Sequence, residues 1–246
     1  VYHFFVGPEQ ICENRAVING PDVNHIRNVL RIKPGEKVLL NTGSDWDYLC
    51  EIREIGKEEI ILSVVSENQS VRELPAKITL FQGLPKSDKM EWIIQKSVEL
   101  GVSEIVPVLT RRVVVKWDDK KSAVKQKHWQ GISEAAAKQS GRNRIPEVSV
   151  PIDFRSALNE MQKYKVRLIP YELAEDSEKT RKIISGICPG DSAAVFIGPE
   201  GGFEEEEISR AREAGIIPVT LGKRILRTET AGLVVLSLLM MQLEGK

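Results

Sequence analysis

The chain has 246 residues, 41% hydrophobic and 28% charged, and its 35 basic side chains balance 35 acidic ones. That composition excludes a disordered, collagen-like or disulfide-framework protein, and the overall charge favours no class of partner. Length allows one or two domains, each with a core of its own. In chain order, residues 1–72 read mainly as β. Asp22 is expected to cap a short helix, Val23–Leu30, that stops near Lys33-Pro34-Gly35. Strands follow over Lys37–Asn41, Tyr48–Ile55 and Glu59–Val65, joined by the turns Thr42–Asp45 and Gly56-Lys57. Short strands with tight turns predict a small barrel. The polar stretch Glu67–Pro75 marks a domain boundary, dividing residues 1–72 from residues 73–246.

Beyond it, strand and helix alternate. Strands are predicted over Lys77–Gln82, Glu104–Leu109, Val166–Pro170, Ala193–Ile197 and Ile217–Leu221. Helices are predicted over Lys86–Leu100, Lys120–Lys138, Ile152–Lys163, Thr180–Ser185, Glu204–Ala214 and Ala231–Leu243. Gly101 supplies a helix stop. This alternation means an α/β domain with a parallel sheet covered by helices on both faces.

Cys12, Cys50 and Cys188 lie far apart, as do His3, His25 and His128, so neither a zinc site nor a disulfide framework is expected. The longest apolar run, Leu233–Met241, is too short to span a bilayer, and Val1–Val6 lacks the pattern of a signal peptide. The expected setting is the cytoplasm, with no membrane and no metal. Local charge is uneven: net −3 over residues 1–72, +5 over 73–150 and −2 over 151–246. Residues 111–144 alone carry +7, a field that attracts polyanions, although Lys120, Lys121, Lys125 and Lys127 also suit a solvated helix surface.

Two loops at the carboxyl ends of strands carry the chemistry, where open α/β sheets hold ligands. In Ile197-Gly198-Pro199-Glu200-Gly201-Gly202-Phe203, three glycines permit close backbone approach. The loop lacks a Gly-Lys-Ser/Thr ending, and Glu204–Glu207 satisfy the positive helix end and repel phosphate. Any ligand there lacks a phosphate; a tight structural turn is the alternative. The second loop, Leu221-Gly222-Lys223-Arg224-Ile225-Leu226-Arg227-Thr228-Glu229-Thr230-Ala231, leads into the most apolar helix. Thr228 or Thr230 is a candidate cap. Ile225 and Leu226 either cover the core or line a pocket for a flat apolar group such as adenine.

Together the two loops resemble the SPOUT class of S-adenosylmethionine-dependent RNA methyltransferases. More closely they resemble the RsmE family, which methylates N3 of one uridine in 16S ribosomal RNA. His25, Val29-Leu30-Arg31 and Pro34-Gly35 are similar to that family's N-terminal pattern. Lys86–Glu91 through Glu99–Val102 is similar to its first core helix, and Glu134–Arg142 to its middle motif. One position departs: Arg111 stands where the family often has an acidic residue.

The resemblance implies a PUA-like β-barrel over residues 1–72 that helps hold RNA. It implies a SPOUT domain over residues 73–246 with a C-terminal trefoil knot, and a homodimer. It places the cofactor at Glu172, Ile197, Gly198, Pro199, Glu200, Gly201, Gly202, Leu221, Gly222, Ile225, Leu226, Arg227, Thr230 and Ala231. Arg227 and Arg112 are the candidates to stabilise charge on the uridine, and Glu229 and Glu200 the candidate bases. An Arg227–Glu229 ion pair is the structural alternative. Arg27, Arg31, Lys86, Lys89, Arg111, Arg112, Lys116, Gln139, Ser140, Arg142 and Arg144 are the candidate RNA-binding residues. The expected partner is 16S ribosomal RNA or the small ribosomal subunit. Another RNA such as transfer RNA, or a ribosome-binding assembly factor without catalysis, are the rival readings.

Overall fold

The computed structural model describes residues 1–70, 72–86, 88–113 and 119–245. The chain forms two compact units, one of Val1–Glu73 with Ala137–Ile145, the other of Leu74–Ala136 with Pro146–Lys246.

In the first unit, β1 (Tyr2–Phe5) leads through a 3₁₀ turn at Pro8–Gln10 to β2 (Ile11–Cys12) and β3 (Arg15–Asn19). The helix α1 (Pro21–Asn24) continues as a π-helical stretch, His25–Leu30. Strands β4 (Lys37–Asn41), β5 (Trp46–Ile55) and β6 (Glu59–Gln69) complete a six-stranded sheet of order β1-β4-β5-β6-β3-β2. Only the β1/β4 pair is parallel. Alternating residues supply the core: Phe4, Ala16, Ile18, Val38, Leu40, Cys50, Ile52, Ile60 and Leu62, closed by Val23 and Ile26 from the helical stretch.

The helix begins earlier than expected, and Asp22 does not cap it. Gly20, at φ +71°, turns the chain and Pro21 opens the helix. Asp22 instead pairs with Lys138 at 3.1 Å. Arg31, left-handed at φ +55°, ends the stretch.

The segment Ala137–Ile145 is tied to this unit by several carboxylates, with Glu73 making the most bonds. Glu73 pairs with the guanidinium of Arg142, which is 5% exposed, and accepts the backbone amides of Asn143 (2.9 Å) and Arg144 (3.2 Å). Asn143 also donates to Asp47 at 2.9 Å, and Arg144 pairs with Asp45 at 3.0 Å.

The second unit runs β7 (Lys77–Gly83), α2 (Lys89–Glu99), β8 (Glu104–Leu109), α3 (Asp119–Ser140), β9 (Glu147–Val148), β10 (Ile152–Asp153) and α4 (Phe154–Met161). It continues with β11 (Val166–Pro170), α5 (Ser177–Ser185), β12 (Ser192–Ile197), α6 (Glu205–Glu213), β13 (Ile217–Val219) and α7 (Thr228–Glu244). The sheet order is β10-β8-β7-β12-β11-β13, with β9 also on β8, and every pair is parallel. All carboxyl ends therefore share one edge. On one face, α4 and α6 bury Leu158, Met161, Ile208 and Ala211 against Phe81, Phe196 and Ile169. On α2, Met90, Ile93, Ile94 and Val98 are buried, and α2 packs on α7.

Four helix starts in this unit differ from the sequence reading by two residues or more. The helix expected at Thr180–Ser185 begins at Ser177, because Asp176 caps it by accepting the Lys179 amide at 2.7 Å. The expected helix Ile152–Lys163 opens as strand, since Ile152 and Asp153 pair with Val108 and Leu109. Asp153 then caps α4 by accepting the Ser156 amide at 2.9 Å. The first helix of the unit starts at Lys89 rather than Lys86, and the Lys86 amide is spent on Glu200 at 3.0 Å. The last helix starts at Thr228 rather than Ala231, because the amides of Thr230 and Ala231 already donate to the Arg227 carbonyl at 2.9 and 2.8 Å. Neither threonine caps it; Arg227, in extended conformation, holds the cap position.

Candidate active site

The first loop leaves β12 at Gly198 and closes a turn in which the Gly202 amide donates to the Pro199 carbonyl at 2.9 Å. Gly202 sits at φ +67°, a conformation open to glycine. A Cβ on Gly83, at the end of β7, would lie 2.6 Å from the Pro199 nitrogen, so only glycine lets these chains approach. Phe203 anchors the loop from below, edge-on to Phe196 at 4.9 Å. The acidic run that follows caps α6: the Glu204 amide donates to buried Glu207 at 2.9 Å. The other Glu207 oxygen accepts the Arg111 amide at 3.0 Å.

The second loop turns at Gly222, φ +114°. With the end of β11 it lines a pocket formed by Glu172, Leu221, Gly222, Ile225, Leu226 and Ala231, with Pro170, Tyr171, Thr220 and Arg224. Six of the expected cofactor residues meet there. Ile225 lies at the rim, 86% exposed, rather than in the core. The Glu172 carboxylate faces the first loop, since a Cβ on Gly202 would sit 3.9 Å from it. Ile197 is buried in β12, and neither it nor Gly198, Pro199, Glu200, Gly201 or Gly202 of the first loop is among the lining residues; Arg227 and Thr230, both exposed, are not among them either.

Between the first loop and α7 stands Lys89. Its ammonium lies 3.1 Å from Glu200 and 3.5 Å from Glu229. The hydrogen bond to Glu200 is the main reason its pKa is raised. Burial alone would raise the pKa of Glu200. Hydrogen bonds from its own amide, the Lys86 amide and Lys89 outweigh that and hold it below the ordinary carboxylate value. Glu200 is thus a satisfied carboxylate and a weak base. Glu229 differs: its Oε2 is shielded from solvent, with no closer partner among the described residues than Lys89. The two candidate bases share one lysine, and Glu229 pairs with Lys89, not with Arg227. Arg227 has no side-chain partner among the described residues and reaches solvent.

The candidate RNA-binding residues divide. Arg112 donates to the Gly201 carbonyl at 2.6 Å and so supports the glycine loop. Arg111 is held by Glu204 at 3.1 Å and Glu206 at 2.5 Å. Lys86 is exposed. Arg27, Arg31, Gln139, Ser140, Arg142 and Arg144 belong to the other unit; there Arg142 is buried on Glu73, while Arg27, Arg31, Gln139 and Arg144 are exposed. Lys116 lies outside the described residues, as do the side chains of Lys120 and Lys121.

Two site residues escaped the sequence reading as partners of the loop. Gln82 is fully buried, and its Nε2 donates to Thr228 Oγ1 at 2.9 Å; Thr228 in turn donates to the Gly198 carbonyl at 2.6 Å. Gln82 Oε1 has no partner among the described residues, a defect of roughly 1–3 kcal/mol. A polar residue ending an apolar strand was the only available signal.

The edge therefore offers a pocket of mixed lining: apolar Leu221, Ile225, Leu226 and Ala231 beside polar Tyr171 and Thr220 and charged Glu172 and Arg224. One carboxylate, Glu172, and one guanidinium, Arg224, are its charged lining groups among the described residues. The apolar side chains suit an apolar ring, and the Glu172 carboxylate suits a positive charge.

Comparison with known proteins agrees with this layout. An RNA methyltransferase domain family matches residues 72–240, and an RNA methyltransferase PUA domain family matches residues 18–65. The chain is 38% identical to ribosomal RNA small subunit methyltransferase E of Bacillus subtilis (strain 168), across 92% of this chain and 90% of that protein. It is 33% identical to the protein of the same name from Mesomycoplasma hyopneumoniae (strain 232), across 96% and 98%. A crystal structure of ribosomal RNA small subunit methyltransferase E from Neisseria gonorrhoeae, bound to S-adenosyl methionine, superimposes with a TM-score of 0.85. It is 35% identical and covers 98% of this chain and 96% of that one.

Proposed function

The chain belongs to the RNA methyltransferase family that includes ribosomal RNA small subunit methyltransferase E, and from that premise we propose that it methylates N3 of one uridine in 16S ribosomal RNA. The observation that carries this reading is the pocket that the second loop lines with Glu172, whose carboxylate faces Gly202 of the first loop, with a lysine-bridged carboxylate pair on the first loop and α7. S-adenosylmethionine, held by Glu172, the Gly198–Gly202 loop and the Leu221–Ala231 loop, supplies a methyl group activated by its sulfonium. The chain's own residues do the rest. Leu221, Gly222, Ile225 and Leu226 would hold the cofactor's apolar part through backbone groups and apolar contact, with Gly198–Gly202 closing the site from the Glu172 side. Uridine N3 carries a proton on its pairing edge, so the base must be unpaired and turned toward the site. Glu229, with one shielded oxygen, takes that proton; Glu200, already satisfied by three donors, holds Lys89 and the loop in place. Arg227 offers its guanidinium to the oxygens of the forming uridine anion. Lys86 and the exposed cations of the first unit meet phosphates. The knot, and a homodimer closed by α7, are part of the same reading; Leu238 and Met241 on that helix stand 43% and 68% exposed.

The test is methyl transfer from labelled S-adenosylmethionine to small ribosomal subunits lacking the modification, beside free 16S RNA and transfer RNA. Mass spectrometry identifies the product nucleoside. N3-methyluridine at one site in 16S RNA is the expected result. Glu229→Gln should lower kcat by roughly a hundredfold or more, with cofactor affinity kept. Transfer only to transfer RNA would overturn the substrate, and cofactor binding without any transfer would favour a binding factor.

A further inference from the structure

Three segments meet where the loops leave the sheet: the end of β7, the loop after β12 and the first turn of α7. Gln82 is 0% exposed and Thr228 6% exposed, so neither group competes with water. The direction of their bonds is forced. Gln82 Nε2 also donates to the Gly83 carbonyl at 2.9 Å, which can only accept, so the amide cannot be turned over. Thr228 Oγ1, accepting from Gln82, spends its single proton on the Gly198 carbonyl. Gln82 Oε1 is left facing Gly232, where a Cβ would lie 3.8 Å away. A methionine of similar length would fill this space without an orphaned oxygen and would lose only what the Nε2 group does.

We propose that Gln82 and Thr228 are positioning residues, a buried relay that fixes the Gly198–Gly202 loop against the start of α7. The proposal rests on the cofactor reading above for its functional consequence. A loop with three glycines has much freedom to lose on binding, and a bond that orders it beforehand lowers that cost. Because Thr228 lies in the segment Leu221–Ala231, at the point where it enters α7, the same relay keeps both loops in one register. Neither residue touches the cofactor pocket; they act through the Gly198 carbonyl.

The test uses Thr228→Val, which keeps the shape and removes the hydroxyl, Thr228→Ser, which restores it, and Gln82→Met. Two measurements are made on the full chain: amide hydrogen exchange over residues 198–202 without ligand, and S-adenosylmethionine affinity by calorimetry. Thr228→Val should speed exchange in the loop and weaken the cofactor by about tenfold, with KM for RNA unchanged. Thr228→Ser should restore both, and the Gln82→Met/Thr228→Val double variant should be no worse than either single one, as members of one relay behave. Exchange and affinity within about twofold of wild type in Thr228→Val would overturn the proposal. So would a loss that serine fails to restore in a folded protein. Should the wild-type chain bind no S-adenosylmethionine, the cofactor reading falls, while the exchange data still decide whether the relay holds the loop.

Discussion

At the scale of single residues, an arginine's position in the chain says little about its task. Arg111, Arg112, Arg142 and Arg144 all sit near element ends in a basic stretch, where phosphate contacts are expected. The structure gives them different work. Arg112 supports the glycine loop and Arg111 serves the acidic cap of α6, whereas Arg142 fills a buried site on Glu73. Breaking a buried pair strands the remaining charge, so Arg142→Met or Glu73→Gln should each cost about 3–5 kcal/mol, read by urea unfolding. Arg144→Ala, whose pair with Asp45 is exposed on both sides, should cost no more than about 1 kcal/mol. The order of these effects would reverse only if Arg142 were chiefly a ligand for RNA.

At the scale of elements, strands were the most legible. Lys37–Asn41, Glu104–Leu109 and Val166–Pro170 fall where the apolar runs place them. The strands at Tyr2–Phe5 and Arg15–Asn19 escaped the reading, being short and held chiefly by partners distant in the chain. Helix starts were less legible, because caps and first turns are polar and carry no periodic signal. The start of α7 illustrates this: Thr228, Glu229 and Thr230 look like loop, yet two backbone bonds to Arg227 make them helix. That turn is what brings Glu229 to Lys89. The same helix reads as apolar all round, and the structure covers Val235, Leu236, Leu239 and Leu243 but leaves Leu238 and Met241 bare. A helix with that residual face fits a second copy of the chain. Leu238→Glu with Met241→Glu should therefore yield a monomer in analytical ultracentrifugation while leaving the unfolding midpoint nearly unchanged. A wild-type chain that is already monomeric would sink the homodimer.

At the scale of the whole molecule, both units build cores from apolar residues, but the first also holds a half-buried histidine. His3 keeps both ring nitrogens from solvent without a partner among the described residues. Burial first, then Arg72 and Lys138, against an opposing pull from Asp47, hold its pKa below the ordinary 6.5. The unfolded chain then takes up a proton near pH 6.5 while the folded one does not, so stability falls as pH drops through that value. His3→Phe should flatten the dependence of urea midpoint on pH between about 5 and 7.5. An unchanged slope would show that other groups carry it.

Composition, periodicity and the two glycine loops were enough to predict an α/β domain behind a β-rich one, and to nominate the loops, because hydrophobic period and glycine punctuation are local properties of the chain. Which charges pair, and which are spent on the fold, depends on partners far apart in sequence: Glu73 with Arg142, Lys89 with Glu200 and Glu229, Gln82 with Thr228 and Gly198. The first of these forms within the β-rich unit, and the other two exist only once the parallel sheet has brought its carboxyl ends to one edge. No local pattern encodes them, and the reach of a side chain across several ångströms decides them.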